Sequence, residues 1–173
     1  MNNSALKKVA EALYIYKLRY GVKLMGKIRW SEEDPKNSDL NAIQITYNKL
    51  ARLVCNVTLK DRKTSKSLFE QLGWFSFNQI NAQVKMTEAW KMETVPKYPN
   101  AFKKKSATKS IRETRAIRNG EVIEPCTSAI GTATFISDAA RAWNRSSASL
   151  RLINSISGVK KEIKKIVKLT IPF

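Results

Sequence analysis

The chain has no histidine in 173 residues and only two cysteines and six glycines. Without histidine, the commonest side-chain acid–base group near neutral pH and the commonest metal ligand are both missing. Cys55 and Cys126 alone cannot complete a tetrahedral zinc site within one chain. A single disulfide between them stays open, but nothing else suggests a secreted, disulfide-framed scaffold. The glycines are scattered, so there is no glycine-rich phosphate loop and no cofactor is expected. No apolar run approaches the roughly 20 residues that a membrane span needs. At the N-terminus Leu6, Val9 and Leu13 are interrupted by Lys7, Lys8 and Glu11, which is not a secretory leader pattern. The expected setting is therefore intracellular, nucleus or cytoplasm, with no membrane partner. The glycosylation-like triplets at Asn2, Asn56 and Asn144 then read as chance matches.

Acidic residues are scarce as well. There are 14 against 32 Lys and Arg, a net charge of +18. Such a surface repels itself and is tolerated mainly where a polyanion neutralises it, which points to RNA or DNA and away from a self-contained enzyme. The imbalance is graded. Residues 1–95 hold 16 basic and 9 acidic groups, whereas residues 96–173 hold 16 and 5, so the shorter C-terminal part is the more cationic. With 43% hydrophobic residues, and Trp30, Trp74, Trp90 and Trp143 as large anchors, the chain can build a core and is not a disordered basic tail.

Periodicity predicts a mainly α protein. Ser4 is placed to cap a helix over 4–20, with Leu6, Val9, Ala10, Leu13 and Tyr20 at helical spacing and Gly21 as its stop. Ser38 or Asp39 opens a second helix to about Cys55, with Leu40, Ile43, Tyr47, Leu50 and Val54 on one face. Thr64 or Ser65 starts a short helix carrying Leu68 and Leu72 and ending at Gly73. Ser76-Phe77-Asn78-Gln79 fits a capping box for a helix running to about Met92. Pro96 and Pro99 then mark a boundary between a helical domain, 1–95, and a basic module, 96–173. In that module Asn119-Gly120 predicts a β-hairpin between 111–118 and 121–124. A helix over 133–145 carries Phe135, Ala139 and Trp143, and Ser157 caps a last helix with Val159, Ile163, Ile166 and Val167 on one stripe. The fold class is thus a small helical bundle followed by a basic module with a hairpin and two helices.

Several segments together resemble a known family. Lys17 to Met25 reads KLRYGVKLM, Leu40–Leu53 reads LNAIQITYNKLARL, and Leu68–Met92 contains Leu72-Gly73-Trp74-Phe75-Ser76 and Trp90-Lys91. Phe135, Ala139-Ala140-Arg141 and Trp143-Asn144 follow in order, ahead of a basic final helix. The series is similar to the thumb and C-terminal region of reverse transcriptases of non-LTR, LINE-type retrotransposons. The resemblance implies that residues 1–95 are a helical thumb gripping primer and template. One departure is large: the family's polymerases hold two magnesium ions on a paired-aspartate motif, and this chain has no Asp-Asp pair and lacks the fingers and palm. Polymerase activity therefore does not carry over, and no catalytic residue is expected.

The candidate contacts are cationic. Lys160/Lys164 and Lys161/Lys165 are two pairs four apart on one side of the last helix, placed to track a phosphate backbone. Lys103, Lys104, Lys105, Lys109, Arg112, Arg115 and Arg118 form a second run, in which the arginine forks suit two-point contact with phosphate oxygens. Arg141 and Arg145 complete the set. The bland alternatives are a solvated helix face and a flexible basic loop. The tryptophans read mainly as core, with Trp30 partly exposed. Glu32-Glu33-Asp34 reads as a solvated acidic turn and not a metal site. Ser4-x-x-Lys7, Ser106-x-x-Lys109 and Ser157-x-x-Lys160 match a Ser/Lys nucleophile pattern by count only. The expected function is binding of RNA or DNA through phosphates, with no small-molecule substrate. The alternative is a structural or protein-interaction subunit of a ribonucleoprotein assembly.

Overall fold

A computed structural model describes residues 3–22, 28–32, 38–96, 103–104, 122–123, 135–146 and 148–173. The protein is mainly α, as its periodicity predicts. It divides into two compact units, Met1–Asn81 with Thr170–Phe173, and Ala82–Leu169. The sequence places its boundary at Pro96, whereas the compact units divide within a helix, between Asn81 and Ala82.

Unit 1 begins with α1 (Asn3–Ala10), a π-helical turn (Glu11–Ile15) and α2 (Tyr16–Gly21). The wide turn has a sequence cause. Leu6, Ala10, Tyr14, Leu18 and Val22 are each four apart, a longer repeat than the 3.6 residues of an α-helix, so a regular helix would rotate them off one face. The Tyr16 N–H donates to the Glu11 carbonyl five residues back, and this wider turn takes up the drift. Ala10 and Val22 are buried as a result, and Leu6, Tyr14 and Leu18 are half-buried. The expected stripe is corrected accordingly: of its members only Ala10 is buried, while Val9, Leu13 and Tyr20 are exposed. Ser4 lies inside α1 rather than at its cap.

Helix α3 (Ser38–Cys55) buries Tyr47, Ala51 and Val54. It closes on Asn56, whose positive φ of 53° suits asparagine. Thr64 caps α4 (Ser65–Leu72) by accepting from Ser67 N at 3.2 Å. Helix α5 (Phe77–Thr94) opens with the predicted capping box: Ser76 Oγ accepts from Gln79 N at 3.2 Å, and Gln79 Oε1 accepts from Ser76 N at 3.0 Å. The core of unit 1 is an aromatic cluster. Tyr47 stacks on Trp74 with ring centroids 5.5 Å apart and meets Phe69 edge-on at 4.7 Å, and Phe69 meets Phe173 at 5.2 Å. Trp74 Nε1 donates to Glu11 Oε1 at 2.9 Å, which satisfies the indole.

Gly73 ends α4 at φ 69°, with its N–H donating to the Glu70 carbonyl and the Trp74 N–H to the Phe69 carbonyl, a Schellman closure. A Cβ at Gly73 would meet nothing within 4 Å, so only the backbone conformation demands glycine. Gly73→Ala is therefore expected to cost about 1–2 kcal/mol in chemical denaturation, and Gly73→Asn clearly less.

Unit 2 holds the rest of α5, strands β1 (Lys103–Lys104) and β2 (Val122–Ile123), α6 (Phe135–Arg145), the short α7 (Ala148–Arg151) and α8 (Ile156–Thr170) up to Leu169. The strands pair antiparallel, Lys103 with Ile123 and Lys104 with Val122. The described partner of 122–123 is thus 103–104. The stretch 111–118 and the Asn119-Gly120 turn of the expected hairpin lie outside the described residues. Trp90, Ala139, Trp143, Leu150, Val159, Ile163 and Val167 are buried. The last helix starts at Ile156, and its N-cap is Ser155, whose Oγ accepts from Gly158 N at 3.2 Å; Ser157, the expected cap, sits inside the helix. Gly158 fits because a Cβ there would come within 2.8 Å of Ser155 Oγ and 3.0 Å of Ile153 Cγ2.

Candidate nucleic-acid interface

Helix α8 presents the clearest candidate surface. Val159, Ile163 and Val167 recur at four-residue spacing and face the core of unit 2. The positions between them carry lysine, so the same periodicity that buries one face loads the other with charge. Lys160, Lys161, Lys164 and Lys165 are exposed. Lys165 pairs with Glu162 at 3.4 Å. Lys160, Lys161 and Lys164 pair with no carboxylate among the described residues. Such a face can neutralise phosphates spaced along a strand, which releases their condensed counterions.

The other predicted contacts fare differently. Lys103 and Lys104 form β1, and Lys105, Lys109, Arg112, Arg115 and Arg118 lie outside the described residues. Arg145 is exposed at the C-terminal end of α6. Arg141 turns partly inward: its Nη1 donates to Asp138 Oδ1 at 3.2 Å. The structure therefore brings the four lysines of α8 onto one surface and ties Arg141 into an internal ion pair.

That ion pair has a second cation, which the sequence does not announce. Lys85 Nζ donates to Asp138 Oδ2 at 2.6 Å, with both side chains about 1% exposed or less. Burial pulls the Lys85 ammonium below its ordinary value, and the Asp138 carboxylate opposes that pull. Asp138 thus serves Lys85 with one oxygen and Arg141 with the other, which fixes α5 against α6 inside unit 2. Lys85 is 53 residues from Asp138, and its neighbours Val84 and Met86 give no hint of a buried charge. Asp138 leaves a faint trace: it falls three residues after Phe135, on the arc that is otherwise Ala139, Ala142 and Trp143.

A cation also closes α6. Arg151 Nη2 donates to the Trp143 and Asn144 carbonyls at 3.0 and 3.4 Å, and its guanidinium lies 5.2 Å from the Trp143 ring centroid. A positive group on these terminal carbonyls complements the helix dipole. Trp90 Nε1 donates to the Ile153 carbonyl at 3.0 Å. Both tryptophans are buried, as is Trp74, while Trp30 is half-buried. No family model, no curated protein and no solved structure matches the chain.

In unit 1 Gln44, Asn48 and Arg52 have architectural roles. Gln44 Nε2 donates to Asn48 Oδ1 at 2.7 Å, and its Oε1 accepts from Phe77 N at 2.7 Å, tying α3 to the start of α5. Arg52 donates to the Thr58 and Lys63 carbonyls at 3.3 and 2.8 Å and so holds the turn after α3. In that turn Asp61 Oδ2 accepts from Thr58 N and Oγ1 at 2.6 and 2.9 Å, bonds that hold its carboxyl below the usual value. Asn78 grips the Arg29 backbone at two points, 2.9 and 2.8 Å. Glu32 is exposed, and its carbonyl accepts from Arg29 Nη2 at 3.1 Å; Glu33 and Asp34 lie outside the described residues. Among the described residues no three His, Cys, Asp or Glu side chains converge, and no helix is long and apolar enough to cross a membrane. Cys55 is a free, half-buried thiol that burial pushes up from its ordinary pKa.

Proposed function

We propose that the chain binds RNA or DNA through phosphate contacts, without base readout and without a catalytic step of its own. On this reading it derives from the thumb and C-terminal region of a LINE-type reverse transcriptase and grips duplex or hybrid product beside a polymerase site supplied elsewhere. The carrying observation is the outer face of α8, where Lys160, Lys161, Lys164 and Lys165 are exposed together on a helix whose opposite stripe is buried. The net charge of +18 supports it, because a purely solvated lysine face would need no such excess. The order of the Lys17–Met25, Leu40–Leu53, Leu72-Gly73-Trp74 and Trp143-Asn144 segments supports the origin.

The test is a salt titration of the purified chain with a labelled duplex. With about six phosphates neutralised, affinity is expected to fall by roughly 10³ between 50 and 200 mM salt. Changing Lys160, Lys161, Lys164 and Lys165 together to Gln is expected to reduce the log–log slope by about 3 and to weaken binding to all sequences alike, by tenfold or more. An unchanged slope removes α8 from the contact surface. Binding that appears only once a protein partner is added would identify a ribonucleoprotein scaffold instead.

A further inference from the structure

We propose that Tyr16 and Tyr20 form a stacking platform for single-stranded RNA or DNA on unit 1. The inference rests on the nucleic-acid reading above but uses a different surface. Both rings are 72% exposed, although a tyrosine buries much of its surface wherever a core can take it. The core of unit 1 takes others: Tyr47 is buried and Tyr14 lies 5.7 Å from its ring. The π-helical turn makes the difference. It lets Ala10, Tyr14, Leu18 and Val22 satisfy the inward face, so Tyr16 and Tyr20 stay mostly exposed and stand together on the outer face, four residues apart.

The charge around them favours a polyanion. Arg19 lies three residues after Tyr16, and Lys17 three residues before Tyr20, so each ring has a cation as its helical neighbour, and both cations are exposed. Glu11 is the only acid of residues 3–22, and it is engaged by Trp74 Nε1 at 2.9 Å and by Lys7 at 3.8 Å. The outer face of this helix is therefore cationic and aromatic, the combination by which proteins hold a strand without reading its sequence.

The spacing selects the single strand. Four residues of helix rise about 6 Å, nearly twice the ~3.4 Å between stacked bases along one strand. Bases locked in a duplex cannot lie on both rings, whereas an extended strand can set successive unstacked bases on them.

The experiment measures binding of the full chain to a short single-stranded oligonucleotide and to a duplex of the same length by fluorescence anisotropy. The Tyr16→Ala/Tyr20→Ala variant is expected to weaken single-strand binding by about 30-fold or more and duplex binding by less than about twofold. Tyr16→Phe/Tyr20→Phe keeps the rings and is expected to stay within about twofold of the parent. Circular dichroism of all three checks that the fold is intact. Single-strand affinity that survives the alanine pair overturns the platform and leaves duplex binding through α8 standing, with the tyrosine stripe then a protein-facing surface. An equal loss with the phenylalanine pair overturns it too, because the rings would not be the contact. A parent that binds neither strand form removes this inference and the reading under it together.

Discussion

Asp138→Ala is expected to lower the unfolding free energy by about 3–5 kcal/mol, because it leaves Lys85 buried without its counter-ion. The cost arises from the partner left behind. Lys85 is about 1% exposed and donates to Asp138 at 2.6 Å, so removing the carboxylate takes away the opposite charge that offsets the cost of burying the ammonium. Urea denaturation followed by the fluorescence of Trp90 and Trp143, both buried in unit 2, reads the loss. Replacing Lys85 and Asp138 by apolar residues, Lys85→Met with Asp138→Leu, is expected to restore part of it, since the Lys85 charge is then gone while Arg141 still loses its carboxylate. The pH dependence has a defined sign. Burial sets the folded pKa of Lys85 below its unfolded 10.5, so between the two the unfolded state binds more protons and stability rises with pH. Removing Asp138 takes away the group that holds this pKa up, so the variant is expected to gain more than the parent as pH approaches 10.5. A variant that denatures with the parent's midpoint would show that Asp138 does not hold the charge of Lys85.

Phe69→Ala is expected to cost about 3–5 kcal/mol, the range for removing a large ring from a packed core. Phe69 is 1% exposed and lies edge-on to Tyr47, Trp74 and Phe173 at 4.7, 6.1 and 5.2 Å, so one truncation strips contacts from three aromatic partners. A neighbouring substitution gives the opposite result. The Tyr47 hydroxyl is buried without a hydrogen-bond partner among the described residues, and burial pushes its pKa up. Tyr47→Phe keeps the stacking on Trp74 and deletes an unsatisfied polar group, so it is expected to be neutral or stabilising by up to about 1 kcal/mol. Thermal denaturation of both variants separates the contributions, and a Tyr47→Phe variant that loses several kcal/mol would mean that the hydroxyl is bonded after all.

The local signals of the fold were legible. The capping box at Ser76 and Gln79, the stop at Gly73 and the split of α8 into a lysine face and a Val/Ile face are each written within a few residues. What escaped has a common cause, which is dependence on a distant partner or on a departure from the regular repeat. Val9, Leu13 and Tyr20 read as core on a 3.6-residue helix, but a π turn moves the buried face to a four-residue repeat. Helix α5 shows no apolar stripe, yet Ala82, Lys85, Met86, Glu88, Ala89 and Trp90 are buried there, because polar groups are accommodated through bonds that sequence spacing does not encode. The ion pair of Lys85 with Asp138 is the sharpest example. Of the candidate interface, the α8 lysines were visible from periodicity alone, while the inward turn of Arg141 was not, since it depends on Asp138 being buried.

The inward commitment of some cations separates two quantities that a bare count of charge merges. Arg151 spends guanidinium donors on the part-buried carbonyls at the end of α6, and Lys85 and Arg141 share one buried carboxylate. A distant polyanion still senses these groups, so the speed of diffusional encounter reflects the molecule's whole field. On the proposed binding, only side chains with donors to spare can then displace the strand's counterions. If the chain binds a strand as proposed, capture from solution and residence on that strand are therefore governed by different subsets of the same residues.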